Sequence, residues 1–217
     1  MLFSKSITFV EKDLENAAAA AGEEYAYASA EQVFIENLRA GEAEAFDLLI
    51  TRYSADIYAL LFRLTQDPEE AGDLTQDTFL RAFRSIGKFR GDSELKTWLF
   101  RIAINESRNR FRWWKRRRRE KTVSLDESLS ESNLSIGDTL AGNGPNPEEV
   151  LLDDEYRRAL YSALGSLPDI FREALVLCDI EGQSYQEIAV ILEINIGTVK
   201  SRIARGREEL RKQLRDY

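Results

Sequence analysis

The sequence predicts an all-α protein of two small helical domains joined by a flexible linker. Three observations lead there. Apolar residues recur at i, i+3, i+4 and i+7 along most of the chain, and no stretch alternates with the period of a strand. Only 4 prolines and 12 glycines occur in 217 residues, so long segments are free to be helical. From Glu120 to Asn146 the composition turns to Ser, Gly, Asn, Asp and Pro and ends GNGPNP, a linker of more than about twenty residues between two folded parts.

Residues 1–28 carry no stable apolar stripe, and we read them as a mobile acidic extension. Ser29 with Gln32 forms a capping box, and Val33, Phe34, Asn37 and Leu38 begin a helix that Gly41 ends. From Ala45 to Leu64 a continuous stripe of Phe46, Leu49, Ile50, Tyr53, Ile57, Leu60, Leu61 and Leu64 predicts a core helix. Asp67-Pro68-Glu69-Glu70 supplies a cap, a proline at the first helical position and acids in the first turn. In the helix that follows, Thr75, Phe79, Ala82, Phe83 and Ile86 are expected to face inward. On its other side Asp73, Asp77, Leu80 and Arg84 align, with Gln76 beside them. A leucine among carboxylates fits either a docking face or a solvated face with one stray leucine.

Phe89 to Ser93 is a turn, and Asp92 or Ser93 caps the next helix, which buries Leu95, Trp98, Leu99, Ile102 and Ala103. Arg101, Asn105, Arg108, Arg112 and Lys115 share another face before the pattern gives way to FRWWKRRRR. Such a run is often merely solvated, but arginines interleaved with Phe111, Trp113 and Trp114 suit a phosphate backbone and unstacked bases. Beyond the linker, Asn146-Pro147-Glu148-Glu149 repeats the helix-start signal, followed by Val150, Leu151, Tyr156, Leu160 and Leu164 and stopped by Gly165. Ile170, Phe171, Ala174, Leu175 and Leu177 give one more helix.

The last stretch, SYQEIAVILEINIGTVKSRIARGREEL, is two short helices around a tight turn. Ser184 and Glu187 form a capping box, and Tyr185, Ile188, Ala189 and Leu192 give the buried face. Asn195 caps the second helix, where Val199, Ile203, Gly206, Leu210 and Leu214 share one face and Gly206 permits a close approach of the two. Thr198, Ser201, Arg205 and Lys212 lie opposite, with Lys200 and Arg202 at the edges. Short polar groups near a helix N-terminus with arginines beyond them suit a helix in the major groove of DNA.

The net charge of −8 is unevenly sorted. Residues 1–80 hold 5 basic and 16 acidic side chains, 81–121 hold 15 and 4, 122–195 hold 3 and 15, and 196–217 hold 7 and 3. Two basic blocks on an acidic background are the footprint of a nucleic-acid binder whose surroundings suppress non-specific contact. With no histidine and one cysteine, Cys178, the chain has no Cys/His zinc site, no Ser-His-Asp triad and no disulfide framework. Asp73 and Asp77 alone do not make a metal site, because nothing else converges on them, and no cofactor motif is present. No run approaches a membrane span, MLFSKSITFVEKD is too short in apolar residues for a secretory signal, and the lone thiol fits a reducing cytoplasm.

With both domains in place, the chain resembles the sigma factors of bacterial RNA polymerase, specifically the small extracytoplasmic-function (ECF) group, which keeps only the domains called region 2 and region 4. The motifs are DLTQDTFLRAF (Asp73–Phe83), FRGDSELKTWLFRIAIN (Phe89–Asn105), LPDIFREALVL (Leu167–Leu177) and SYQEIAVIL with GTVKSRIARGRE (Ser184–Glu208). They stand in the family's order and cover roughly Glu31 to Leu214.

The resemblance implies roles. Asp73, Gln76, Asp77 and Leu80 match the surface that docks on core RNA polymerase. Phe89, Arg90, Asp92, Ser93, Trp98 and Asn105 match the region that captures a base flipped from the minus-ten element, with Arg101, Arg108 and Arg112 holding the melted strand. Thr198, Lys200, Ser201, Arg202 and Arg205 lie in the helix that reads the minus-thirty-five element. The implied organisation is an extension at 1–28, region 2 at 29–115, a linker at 116–146 and region 4 at 147–217. The implied partners are core polymerase, promoter DNA as duplex and melted strand, and an anti-sigma factor. No small-molecule substrate, membrane insertion or catalysis of its own is expected. The extension before Ser29 has no counterpart in the minimal pattern, and the run Lys115–Arg119 is unusually dense, which fits linker charge as well as a specific contact. A stand-alone helix-turn-helix regulator would need tight DNA binding without polymerase and a dimerisation surface, and a helical interaction module would not need Arg202 and Arg205.

Overall fold

The computed structural model describes residues 30–120 and 159–215, and of 115 and 118–120 the backbone alone. All regular structure among them is helical. We number the helices α1 (30–40), α2 (Ala43–Thr65), α3 (Pro68–Ser85), α4 (Leu95–Glu120), α5 (159–166), α6 (Asp169–Leu175), α7 (Tyr185–Leu192) and α8 (Ile196–Gln213). A 3-10 turn, Ile86–Lys88, follows α3, and a π turn, Val176–Ile180, continues α6. The extension at 1–28, the cap at Ser29, residues 121–146 of the linker and the helix start at Asn146–Pro147 with Val150, Leu151 and Tyr156 lie outside the described residues.

The helix boundaries follow from local chemistry. Asp67 caps α3 by accepting from the amides of Glu69 (2.9 Å) and Glu70 (3.1 Å), two of the four donors that a helix start leaves orphaned. Ser184 and Glu187 close the expected capping box at α7, at 3.2 and 2.7 Å. Asn195 starts α8 by accepting from the Thr198 amide at 2.8 Å. Between α7 and α8 the chain turns through Glu193, whose φ of 57° is the left-handed conformation that ends many helices and usually goes to glycine. At α4 neither Asp92 nor Ser93 takes the expected cap position: the helix begins at Leu95, and the Glu94 carbonyl accepts from the Trp98 amide. The helix also continues through Glu120, past residue 115.

The chain groups into two compact units. Among the described residues, one comprises 30–52 with Phe83–Phe89, the other Tyr53–Ala82 with 90–120 and 159–215. In the first, Phe46 meets Phe83 edge-on at 4.7 Å, and Arg39 donates to the carbonyl of Phe89. The second includes helices from both sides of the linker: α4 packs on α7, α8 packs on α6 and α7, and Lys96 of α4 pairs with Asp56 of α2 at 2.7 Å.

Several inward assignments shift. Ile50 and Val33 are exposed. In α3 the buried row is Ala71, Leu74, Thr78 and Ala82, one position before the expected Thr75, Phe79 and Phe83, and Phe83 is 56% exposed. A stripe more than 100° wide has two edges, and its centre here is set by small Ala and Thr rather than by the large aromatics. In α6 Ile170 is exposed and the buried row runs Glu173 to Leu177. In α7 Tyr185 is exposed and Ile191 is buried in its place. Gly206 does allow a close approach, but of α6: a Cβ there would lie 2.9 Å from Cγ and Cδ1 of Leu175.

Candidate polymerase and nucleic-acid interfaces

On α3, Asp73, Gln76 and Leu80 are exposed, Leu80 at 53%. Asp77 is not a free acid. Its Oδ2 accepts from Nη2 of Arg110 at 3.0 Å, which ties the acidic row to α4. Two turns earlier, burial pushes the Glu70 carboxyl above its usual range, with Arg110 acting the other way. The candidate docking row is therefore held at one end by a base that the motif comparison did not single out.

The turn before α4 places its residues on two levels. Phe89 and Trp98 are buried. Arg90 and Asp92 stand in solvent around Gly91, whose φ of 82° only glycine adopts without strain, and they face each other at 3.4 Å. Ser93 and Arg101 are half-buried. Along α4, Asn105, Arg108 and Arg112 line one groove of 1240 Å³ with Phe111 and Trp114, and Ile170, Leu192, Ile194 and Arg202 line it too. Trp113 meets Trp114 at 5.3 Å, and the Arg117 guanidinium lies 4.5 Å from the centre of the Trp113 ring, a cation–π distance.

The five residues expected to read duplex DNA fall into three settings. Lys200, Ser201 and Arg205 are exposed on α8. Thr198 is half-buried and donates through both its amide (2.8 Å) and its hydroxyl (3.0 Å) to Asn195, so it positions the helix start. Arg202 is half-buried and belongs to the groove. The helix is fixed on its far side by Arg207, whose Nε donates to Oδ2 of Asp179 at 3.0 Å and whose hydrogen bonds hold the Asp179 carboxyl below its usual range. Cys178 beside it is half-buried, and burial raises its thiol pKa. Among the described residues no group of three or more His, Cys, Asp or Glu could hold a metal ion, and no helix is long and apolar enough to cross a membrane.

The sequence reading missed four charged side chains. Glu173 is 6% exposed and accepts both Nε (2.8 Å) and Nη2 (2.5 Å) of Arg108, a two-pronged pair whose hydrogen bonds raise the arginine's already high pKa. Glu181 accepts from Arg63 at 2.6 Å. Arg172 donates to the carbonyls of Leu64 (2.6 Å), Gly165 (3.0 Å) and Leu167 (2.9 Å), serving carbonyls that the ends of α2 and α5 leave unpaired. One signal was available: Arg172 is one of only three bases among residues 122–195, so it has acids to spare nearby and an unusual reason to be there.

Such a helix-turn-helix behind an acidic helix and a basic, aromatic one is the arrangement of a DNA-reading transcription factor. Two family models match the chain, Sigma-70 region 2 at residues 49–119 and Sigma-70 region 4 at residues 157–210. The chain is 37% identical over 184 residues to the RNA polymerase sigma-H factor of Pseudomonas aeruginosa, covering 85% of this chain and 93% of that protein. It is 36% identical over 180 residues to the ECF RNA polymerase sigma-E factor of Escherichia coli, covering 83% and 92%. Among solved structures, the sigma factor RpoE of Bartonella quintana in complex with the anti-sigma factor NepR superposes with a TM-score of 0.63 at 27% identity, over 80% of this chain and 98% of that one. The chain belongs to the ECF sigma factors of RNA polymerase, and it directs promoter-specific transcription initiation.

Proposed function

We propose that this sigma factor divides its work among three surfaces. Asp73, Gln76, Asp77 and Leu80 dock on core RNA polymerase, where an apolar contact ringed by charge suits a protein partner. Arg90, Asp92, Ser93 and Asn105 capture a base flipped from the minus-ten element, with Phe89 and Trp98 supporting the turn from within. Arg101, Arg108 and Arg112 hold the phosphates of that strand, and these contacts must recover the few kcal/mol that each flipped base costs. Lys200, Ser201, Arg202 and Arg205 read the minus-thirty-five element as duplex, oriented by the Thr198–Asn195 cap.

The observation that carries this reading is the start of α8. A three-residue turn ends in a capped helix that exposes small Gly197 and Ser201 beside cationic Lys200 and Arg205, a surface that can approach base edges closely and meet guanines or phosphates. Region 2 then occupies residues 29–115, the linker 116–146 and region 4 147–217. The factor acts in the cytoplasm, has no catalytic activity of its own, needs no cofactor, and is restrained by an anti-sigma factor as its Bartonella relative is bound by one.

Run-off transcription with purified core polymerase tests this. Addition of the chain should give transcripts from a subset of a promoter library. Tight, selective occupation of operators by the chain alone at physiological salt would instead favour a stand-alone regulator.

A further inference from the structure

The two tryptophans near the end of α4 leave the helix in different directions. Trp114 lines the groove with Phe111, Arg108 and Arg112. Trp113 does not, and it stands on another side with Arg110 and Arg117, three positions after the first and four before the second. At about 100° per residue, that row lies about 150° round the helix from Arg101, Arg108 and Arg112. The aromatic and basic run of α4 therefore serves two surfaces, and only one of them is the strand row.

Arg110 fixes what the second surface adjoins. Its Nη2 donates to Oδ2 of Asp77 at 3.0 Å, and its charge also reaches Glu70. Glu70, Asp73 and Asp77 repeat at i, i+3 and i+7, so the α4 row borders the acidic row of α3. Leu80 continues that acidic row and is 53% exposed. Trp113 continues the α4 row and is 44% exposed, with the Arg117 guanidinium over its ring. The core has no use for an indole so open to water, whereas a partner surface would recover the apolar area it shows. Trp and Arg are also the side chains that most often carry the energy of a protein interface.

We propose that Trp113 and Arg117 form the second half of the polymerase-docking surface, joined to the α3 half through the Arg110–Asp77 pair. This rests on the reading of Asp73, Asp77 and Leu80 as the docking row. The α3 half offers a leucine among carboxylates, and the α4 half offers an indole backed by a guanidinium. The matching patch of core RNA polymerase is apolar opposite Leu80 and Trp113 and acidic opposite Arg117. Phe111 and Trp114 stay with the nucleic-acid side of the helix.

The test uses the full chain. Biolayer interferometry measures its affinity for core polymerase, and fluorescence anisotropy of a short mixed-sequence single-stranded oligonucleotide measures DNA binding without polymerase. Trp113→Ala should weaken core binding about ten- to thirtyfold and Arg117→Gln about three- to tenfold, with oligonucleotide affinity changed less than about twofold. Trp113→Phe, which keeps a ring, should recover most of the core affinity. Arg116→Gln removes the same charge from a different side of the helix and should leave core binding unchanged; a loss equal to that of Arg117→Gln would reduce the effect to bulk charge and overturn the proposal. Unchanged core affinity in both Trp113→Ala and Arg117→Gln overturns it too. So does a loss confined to the oligonucleotide, which would assign this face to nucleic acid. Asp77→Lys separates the two readings. If it weakens core binding while the α4 variants do not, the docking row stands without its second half; if it also leaves core binding unchanged, the row and the proposal fall together.

Discussion

Gly206→Ala tests how tightly region 4 is fitted. In a solvated helix interior, Ala in place of Gly gains about 1 kcal/mol because glycine loses more backbone freedom on folding. At Gly206 the added Cβ would lie 2.9 Å from both Cγ and Cδ1 of Leu175 and 3.4 Å from Cβ of Phe171. Carbons in contact prefer about 3.5–4.0 Å. Leu175 is buried, and Cγ is not the free end of a flexible chain, so α8 must back away from α6. Overpacking of this kind costs about 1–3 kcal/mol, which equals or exceeds the propensity gain and leaves a net loss of roughly 0–2 kcal/mol. Gly72 in α3 is the internal control, since a Cβ there meets nothing within 4 Å. Gly72→Ala should stabilise the chain by about 1 kcal/mol, so the two variants should differ by about 1–3 kcal/mol in urea unfolding followed by circular dichroism. Equal stabilisation by both substitutions would refute the close α6–α8 fit.

Three further outcomes follow from the same geometry. Asp77→Lys should weaken capture by immobilised core polymerase while the circular dichroism spectrum is retained, because the half-exposed pair with Arg110 contributes no more than about 1 kcal/mol to the fold; unchanged capture would remove Asp77 from the docking row. Arg205→Ala should lower promoter affinity by about 1–3 kcal/mol and relax one base position if it reads a base edge, or reduce the salt dependence evenly if it holds a phosphate, and an unaltered footprint with unaltered salt slope would exclude both. The Asp179 carboxyl is held below its usual range by Arg207, so its stabilising contribution is complete above the ordinary aspartate pKa near ~3.9 and fades as pH falls below it; Asp179→Asn should flatten the acid limb of the stability profile there, and parallel profiles would contradict the pairing.

Local signals were legible because they act over three or four residues. Asp67, Ser184 and Asn195 stand where their side chains can accept from amides two or three positions on, and no distant group competes for those amides. Which edge of a wide apolar stripe goes inward was not legible in α3. Phe79 and Phe83 outweigh Ala71, Thr78 and Ala82 in hydrophobicity, yet helices approach most closely over small residues. The candidate DNA row of α8 was read from one helix, and it split when Arg202 turned to a groove whose other wall lies nearly a hundred residues away. The same limit explains Glu173. Within LPDIFREALVL it reads as a surface acid beside Arg172, and only Arg108, 65 positions earlier, makes its burial tolerable.

The sorting of charge acquires a second meaning from these pairs. An acidic background around basic helices repels loose phosphate backbone by long-range field, an effect that salt screens over a Debye length of about 8–10 Å. Contacts such as Asp77–Arg110 and Glu173–Arg108 act at 2.5–3.0 Å and commit individual carboxylates to individual guanidiniums on α4. The two mechanisms differ in their response to ionic strength. If only the field mattered, raising salt would progressively relieve the repulsion while weakening the phosphate contacts themselves, so binding by the free chain would fall as it does for any cationic surface. A carboxylate buried against its guanidinium is screened far less, so the Glu173–Arg108 pair holds at moderate salt. Glu173→Gln should therefore lower stability in urea unfolding by a margin that salt changes little, and a margin that collapses at high salt would place the pair in solvent.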